Sequence, residues 1–301
     1  MNPLGSKTLS IVIRGASICF FFLVYFTNIN AAIIESGITG NWNVGATWVG
    51  GVVPAATDDV VIKASHVVTV TNNETIVNVE VESTGELIVN ATFTLLCDGD
   101  ILQNGIITVN GTLTNTGNIT QVGIITVNGT LTNTGNILQD GTITIATGGI
   151  FNHANNTTNT ITQNGTFNVH GTLNLNGGTY VINMVNSFSG GGVLNLENYN
   201  SFGPNVEWRP FIPVINFSAN SDANWVGNII FFLQNGTDFN FYDGGGEIAL
   251  SSGFSSQGTF NIEGPGLHRL NSDFENQKTV NWNAGDLEGN KVFTNTSTFN
   301  E

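Results

Sequence analysis

Large aliphatic residues recur at every second position in short runs of this chain, and glycine interrupts the runs at every sixth: GIITVN from Gly105, GTLTNT from Gly111, GNITQV from Gly117. Alternation of period two is the signature of a strand, not a helix. Ile107, Leu113 and Ile119 occupy the third position of each piece, with Ile125, Leu131 and Ile137 in the next copy. The fifth positions, Val109, Asn115 and Gln121, point the same way. Glycine at the joints is read as backbone freedom for a corner, so three short strands and three bends make one triangular rung. Residues 105–122 are followed at once by residues 123–140, and 16 of the 18 positions are identical. Self-similarity at so short a period predicts a solenoid, each repeat being one turn of a coil.

A single rung cannot hold itself together, because ordering its backbone outweighs what four buried aliphatic side chains return. Stacking resolves this. Each strand then bonds to the equivalent strand about 4.8 Å above and below, and the aliphatic residues form continuous columns. The same stacking places Asn110 under Asn128, Asn115 under Asn133 and Asn118 under Asn136, as ladders of amides along the axis. Looser copies extend the pattern through residues 85–104 and 141–164, the latter stretched by an Asn/Thr-rich insertion, and GTFNVHGTLNLNGG resumes at Gly165.

Residues 1–32 read as a secretory signal peptide: Lys7 and Arg14 precede an apolar stretch from Ala16 to Phe26, and Ala31-Ala32 supply a cleavage site. That run is shorter than the roughly 20 residues a spanning helix needs. Removing it takes two of the seven basic residues and none of the 22 acidic ones, so the mature charge is 5 − 22 = −17. Bulk electrostatics therefore exclude nucleic acid and anionic membrane as partners. Cys97 is the one thiol left, in the apolar run TFTLLC, and reads as a core residue rather than half of a disulfide.

The segment from Gly40, GNWNVGATWVGGVVPAATDDVVIKASHVVTV, predicts a cap. Trp42 and Trp48 cover the mouth of the coil, Pro54 turns the chain, and VVIKA and VVTV are the first strands. Asp58 and Asp59 are read as turn residues in preference to a metal or sugar contact. The arrangement Trp42, Thr47-Trp48, Gly50, Pro54, Asp59-Val60, Ile62, His66 resembles the opening of many secreted proteins of Bacteroidota and is similar to the start of the G8 domain of some extracellular β-helical proteins. The Gly/Asn/Thr repeats that follow resemble adhesin, haemagglutinin and autotransporter-type β-helices. The resemblance covers roughly residues 38–90, and beyond them only composition and period. It implies a right-handed, surface or secreted solenoid, often exported by the type IX system and often adhesive to glycans or cell surfaces. The chain departs from the pattern in having no recognisable C-terminal sorting domain. Rungs of 18 residues, by themselves, fit a left-handed triangular coil equally.

The expected organisation is thus a signal peptide (1–32), a cap with the first rungs (33–84), a regular solenoid (85–200) and an aromatic-rich, less regular solenoid (201–301) that continues beyond Glu301 in the natural protein. In the last of these, Phe217, Phe239, Phe241, Phe260, Trp282 and Phe293 are expected to stack inside the coil rather than form an exposed sugar platform.

Parallel β-helices can house lyases and hydrolases, whose chemistry needs clustered carboxylates with a calcium ion or a cationic base. The candidates are Asp98 and Asp100 in CDGD, and Asp238, Asp243 and Glu247 around a glycine triplet. The only cations available, Lys63, Arg209, Arg269, Lys278 and Lys291, are remote in sequence from Asp98 and Asp100. His66, His153, His170 and His268 lack metal-ligand spacing. Thr112, Thr114, Thr130 and Thr132 form a small outward array that would suit ice, but Thr166-Phe-Asn168 and Thr172-Leu-Asn174 break it. The sequence therefore predicts an all-β, single-stranded parallel β-helix of non-catalytic, adhesive or structural function, without cofactor or metal; binding is expected over repeated side chains on a face or over the 150–160 loop, with no contact residue nominated.

Overall fold

A computed structural model describes residues 32–153, 159–183, 188–203, 207–208, 210–218, 224–227, 230–242, 247–250, 253–264, 267–271, 273–283, 285–289 and 292–301. Residues 1–31 of the expected signal peptide, residues 154–158 of the expected loop, and Asp243, Arg209 and Lys291 lie outside them. Residues 32–301 form one compact unit. It is a β-solenoid, and every pairing between its named strands is parallel.

Three files of strands run along the coil. The first begins Gly40–Asn41, Val67–Val70, Glu86–Val89, Ile106–Val109 and Ile124–Val127. The second contains Thr94–Cys97, Thr112–Asn115, Thr130–Asn133 and Ile150–His153, and the third Asp59–Ile62, Val79–Val81, Ile101–Gln103, Ile119–Gln121 and Ile137–Gln139. The predicted register holds: Ile107 lies between Leu87 and Ile125, Leu113 between Leu95 and Leu131, and Ile119 between Ile101 and Ile137. All of these side chains are buried. Two strands, Thr172–Ile182 and Val193–Gly203, run on around a corner and pair with both the second and third files. There the chain needs true torsional freedom, and Gly177 and Gly178 supply it with φ of 75° and 96° beside a register shift.

Elsewhere the corner glycines serve a different end from the one expected. Gly105, Gly111, Gly117, Gly123 and Gly129 do not have positive φ. A Cβ on Gly123 would instead lie 2.0 Å from the carbonyl oxygen of Gly105, and one on Gly129 2.1 Å from that of Gly111. Close approach of stacked corners, not backbone freedom, excludes side chains there. The inward amide two residues earlier uses the opening: Asn115 Nδ2 donates to the Gly117 carbonyl at 2.7 Å, Asn133 to Gly135 at 2.7 Å and Gln139 Nε2 to Gly141 at 2.6 Å. Gln103, Gln121 and Gln163 bond Gly105, Gly123 and Gly165 in the same way. Buried amides are thereby supplied with acceptors, and the bend with a clasp.

The amide ladders largely follow the expected stacking. Asn115 Nδ2 donates to Asn133 Oδ1 at 2.7 Å inside the coil, and Asn128 Nδ2 to Asn110 Oδ1 at 2.8 Å outside it. Asn118 and Asn136 also stack, but the bond runs from the Asn136 backbone N–H to Asn118 Oδ1 at 3.0 Å. Farther along, Phe217, Phe239, Phe241 and Phe260 are fully buried as expected, with Trp282 and Phe293 partly buried against the same core. Phe239 stacks on Phe260 at 5.3 Å, and Phe274 on Phe293 at 4.8 Å.

The cap is built around Trp42 and Trp48, both buried, edge to face at 5.0 Å, with Trp48 Nε1 donating to the Trp42 carbonyl at 2.6 Å. Two short strands, Ile33–Glu35 and Gly40–Asn41, precede the segments expected to be first. Ile33–Glu35 pairs with Asp59–Val61 and Gly40–Asn41 with Val68–Thr69, so the coil begins two strands earlier in the chain than the alternation of VVIKA suggested.

Candidate functional site

The third face carries two adjoining concave surfaces. One shallow groove of about 570 Å³ is lined by Asp100, Asn118, Thr120, Asn136, Leu138, Thr160 and Thr162. A second, of about 350 Å³, adjoins it through Asp100 and continues over Asn78, Glu80, Leu102 and Asp59. The third-file strands project Leu102, Thr120 and Leu138 outward between the buried isoleucines, because each strand alternates inward and outward positions.

A ladder of side chains on the corner preceding each strand edges this groove. Asn78 Nδ2 donates to Asp59 Oδ1 at 2.7 Å, and the Asp100 N–H to Asn78 Oδ1 at 2.7 Å. The Asn118 N–H donates to Asp100 Oδ1 at 2.7 Å, and the Thr160 N–H to Asn136 Oδ1 at 2.8 Å. The side-chain oxygens of Asn78, Asp100 and Asn136 thus accept from the backbone of the rung above, and that of Asp59 from the Asn78 amide. Amides, carboxylates and hydroxyls thus stand beside aliphatic side chains along successive rungs, which suits an extended ligand with a polar edge and apolar faces.

Of the carboxylates named from sequence, Asp58, Asp59 and Asp100 are occupied in the same structural way. Asp58 accepts from the Ala55 N–H at 2.8 Å and the Ala32 N–H at 3.1 Å, which makes it a turn residue of the cap as expected. Asp98 and Asp100 are exposed on either side of Gly99; Asp100 caps the rung above, while the Asp98 carbonyl accepts from Thr116 Oγ1 at 2.8 Å. Asp238 lies in the second file and Glu247 in the third, so these two sit on different faces. Lys63 is committed to Glu82, whose carboxyl it holds below the ordinary range through their hydrogen bond, and lies 3.7 Å from Glu35.

The histidines are dispersed. His66 Nδ1 lies 2.8 Å from Ser36 Oγ in the cap, and His170 is exposed near the Gly191 N–H. His268 is buried against Phe241 with Nε2 2.8 Å from the Glu263 carbonyl. His153 is buried in the column above Asn133, and burial pushes its pKa down to about 4. No group of three or more His, Cys, Asp and Glu able to hold a metal occurs among the described residues. Cys97 is buried, with its pKa pushed up to about 12 by desolvation and its Sγ 3.0 Å from the Val77 carbonyl, so it is a core group and a poor nucleophile.

Sequence reasoning missed two surface features. The outward threonines do stack, Thr112 on Thr130 and Thr114 on Thr132, but the next rung continues them with Ile150 and Asn152. From Asn152 the file becomes an unbroken outer ladder through Asn174, Asn195, Asn216, Asn240, Asn261, Asn281 and Asn300, with amide-to-amide distances of 2.7–2.8 Å. The second feature is Phe211. It shares parity with the buried Ile215 and Phe217, yet the corner at Pro213 inverts the alternation: Ile212 is buried and Phe211 is 57% exposed.

Compared with known protein families, characterised proteins and solved structures, the chain gives no significant match. No helix among the described residues is long and apolar enough to cross a membrane.

Proposed function

We propose that this chain is a non-catalytic, secreted or cell-surface β-solenoid that adheres to extracellular glycans along its third face, within an adhesive or structural role. The observation that carries the reading is the run of grooves from Asp59 to Thr162, edged by one side-chain ladder and floored by Thr120, Leu102 and Leu138. A polysaccharide chain presents hydroxyls along its edges and C–H groups on its ring faces, and the groove alternates the groups that match both. The side-chain oxygens that bind backbone N–H groups keep the ladder rigid, so little ordering cost is added on binding. Absence of catalysis fits the employment of Asp58 and Asp100 as caps of neighbouring backbone. The signal-peptide pattern and the G8-like opening support export, and cleavage near Ala31 or Ala32, read by N-terminal sequencing of exported protein, checks that part.

Residues 33–301 applied to a glycan array and to cell surfaces test adhesion directly. The expected result is retention of extended polysaccharides, lost when Leu138→Asp and Thr120→Lys are introduced together in the groove. Silence of the wild-type protein on both supports overturns the adhesive reading. Release of reducing ends from any retained polysaccharide would overturn the non-catalytic one.

A further inference from the structure

The first face is interrupted midway, and the interruption leaves a pocket. Its eight-stranded sheet ends at Phe188–Ser189 and a five-stranded sheet starts at Glu207–Trp208, with a single Ser189–Phe211 bridge continuing the pairing. Beside that bridge is a cavity of about 270 Å³, with Gly190 and Gly191 as floor, Phe211 and Pro213 as wall, and Asn235 on its rim. The size is near the lower limit of small-molecule sites, enough for one sugar ring and too little for a chain.

The pocket has a fixed and unusual lining. Phe211 is pinned through its backbone, its N–H donating to the Phe188 carbonyl at 2.8 Å and its carbonyl accepting from Gly190 at 3.1 Å, so the exposed ring is presented by a paired segment. A Cβ on Gly191 would meet nothing within 4 Å, which leaves the space before the floor open. Lys278 Nζ donates to Asn235 Oδ1 at 3.2 Å and so stands at the rim. The chain has 7 basic and 22 acidic residues, so an ammonium group at a pocket mouth marks the rare place where an anion is not repelled.

We infer that this pocket holds a single carboxylated sugar ring, a uronate unit of an acidic glycan. The C–H face of the ring lies on Phe211, a hydroxyl bonds the Asn235 amide, and the carboxylate pairs with Lys278. An exposed aromatic ring gathers the apolar face of an amphipathic ligand, while the amide and ammonium read its polar edge. The inference deepens the glycan-adhesion reading and rests on it, at a place separate from the third-face groove.

Calorimetric titration of residues 33–301 with a galacturonate trimer, its methyl ester and the neutral galactose trimer tests it. The acidic trimer is expected to bind several-fold more tightly than either uncharged form. Phe211→Ala should weaken it about tenfold and Phe211→Trp should restore binding. Lys278→Gln should weaken the acidic trimer about threefold, as an exposed ion pair allows, and leave the methyl ester unaffected. Equal binding of acidic and neutral trimers overturns the inference. So does binding that survives Phe211→Ala but is lost with Leu138→Asp, which would place the ligand in the groove and uphold the first reading alone. No binding of any trimer overturns it too, while retention of neutral polysaccharides on the array would leave adhesion standing. Because Phe211 is mostly exposed, unchanged circular dichroism is expected for its variants and certifies the comparison.

Discussion

Two stretches of this coil keep the same parallel register and fill it in opposite ways. Between Gly105 and Asp140 the interior is aliphatic, with Asn115, Asn133, Gln121 and Gln139 buried at the corners and threonine outside. From Phe217 onward the interior holds stacked phenyl rings, with Ser256 and Asn276 still buried at corners, while an outer amide ladder runs from Asn152 to Asn300. The exchange occurs within Asn152-His153, where the outer file passes from Thr132 to Asn152 and the inner one from Asn133 through His153 to Leu175. Corners that must stack closely use inward amides and glycine to close; where the rungs lengthen to 19–24 residues, as between the outer asparagines, amides outside align the strands while hydrocarbon fills the wider coil.

The contrast breaks most sharply at its aromatic side. Phe260 touches Phe239, Phe254 and Phe274 at ring distances of 4.8–5.6 Å and is fully buried. Phe260→Ala should cost about 3–5 kcal/mol, through lost burial and the cavity left behind. Solenoids can open locally, so peptide-resolved hydrogen exchange is the right measurement: protection should fall around residues 254–282 and persist around 105–140. Equal loss in both would mean the two fillings form one cooperative unit.

On the aliphatic side the sensitive point is a glycine. Gly123→Ala must displace the Gly105 carbonyl, 2.0 Å from the new Cβ, and is expected to cost about 3 kcal/mol in urea unfolding. Gly37→Ala, whose Cβ would make ordinary contact with Val49 at 3.5 Å, should change stability by less than about 0.5 kcal/mol. A small effect at Gly123 would mean that the stacked corners part readily enough to admit a side chain.

These glycines also show what the sequence did and did not disclose. Period and alternation were enough for the rung, its register and its inner columns, because Ile107, Leu113 and Ile119 recur at fixed spacing. The glycine itself was legible but its reason was not. The signal lay two residues upstream, in Asn115-Thr-Gly117, Gln121-Val-Gly123, Asn133-Thr-Gly135 and Gln139-Asp-Gly141, where an inward amide needs a bare carbonyl. The outer ladder escaped notice because its members are 22, 21, 21, 24, 21, 20 and 19 residues apart, so no fixed period marks them. As for the groove, its outward residues could be read off each strand, but their alignment with the corner ladder of Asn78, Asp100 and Asn136 depends on how turns of unequal length stack.

At the exchange point, pH offers the next test. His153 is neutral in the folded coil because burial lowers its pKa to about 4, against about 6.5 when unfolded. Between those values the unfolded chain binds the extra proton, so this contribution to stability is intact above pH 6.5 and lost as pH falls toward 4, by about 3 kcal/mol in all. His153→Leu, which copies the Leu175 of the rung above, should remove that slope. Urea midpoints of the two proteins at pH 7, 5.5 and 4 check it; parallel curves would mean His153 is protonated in place.

The smallest effects separate the two kinds of amide. Asn133 is buried, accepts from Asn115 Nδ2 and donates to Gly135, so Asn133→Ala removes both bonds, leaves the Gly135 carbonyl without its clasp and should cost about 2–3 kcal/mol. Asn216 has bonds of 2.8 Å to Asn195 and Asn240 but is only half-buried, so water can replace each bond that Asn216→Ala breaks. Its expected cost is below about 1 kcal/mol. If thermal unfolding found the outer substitution as damaging as the inner one, the ladder would be acting as a cooperative chain, in which one gap weakens the bonds on either side. The outer file would then hold the aromatic half of the coil together as the buried amides hold the aliphatic half.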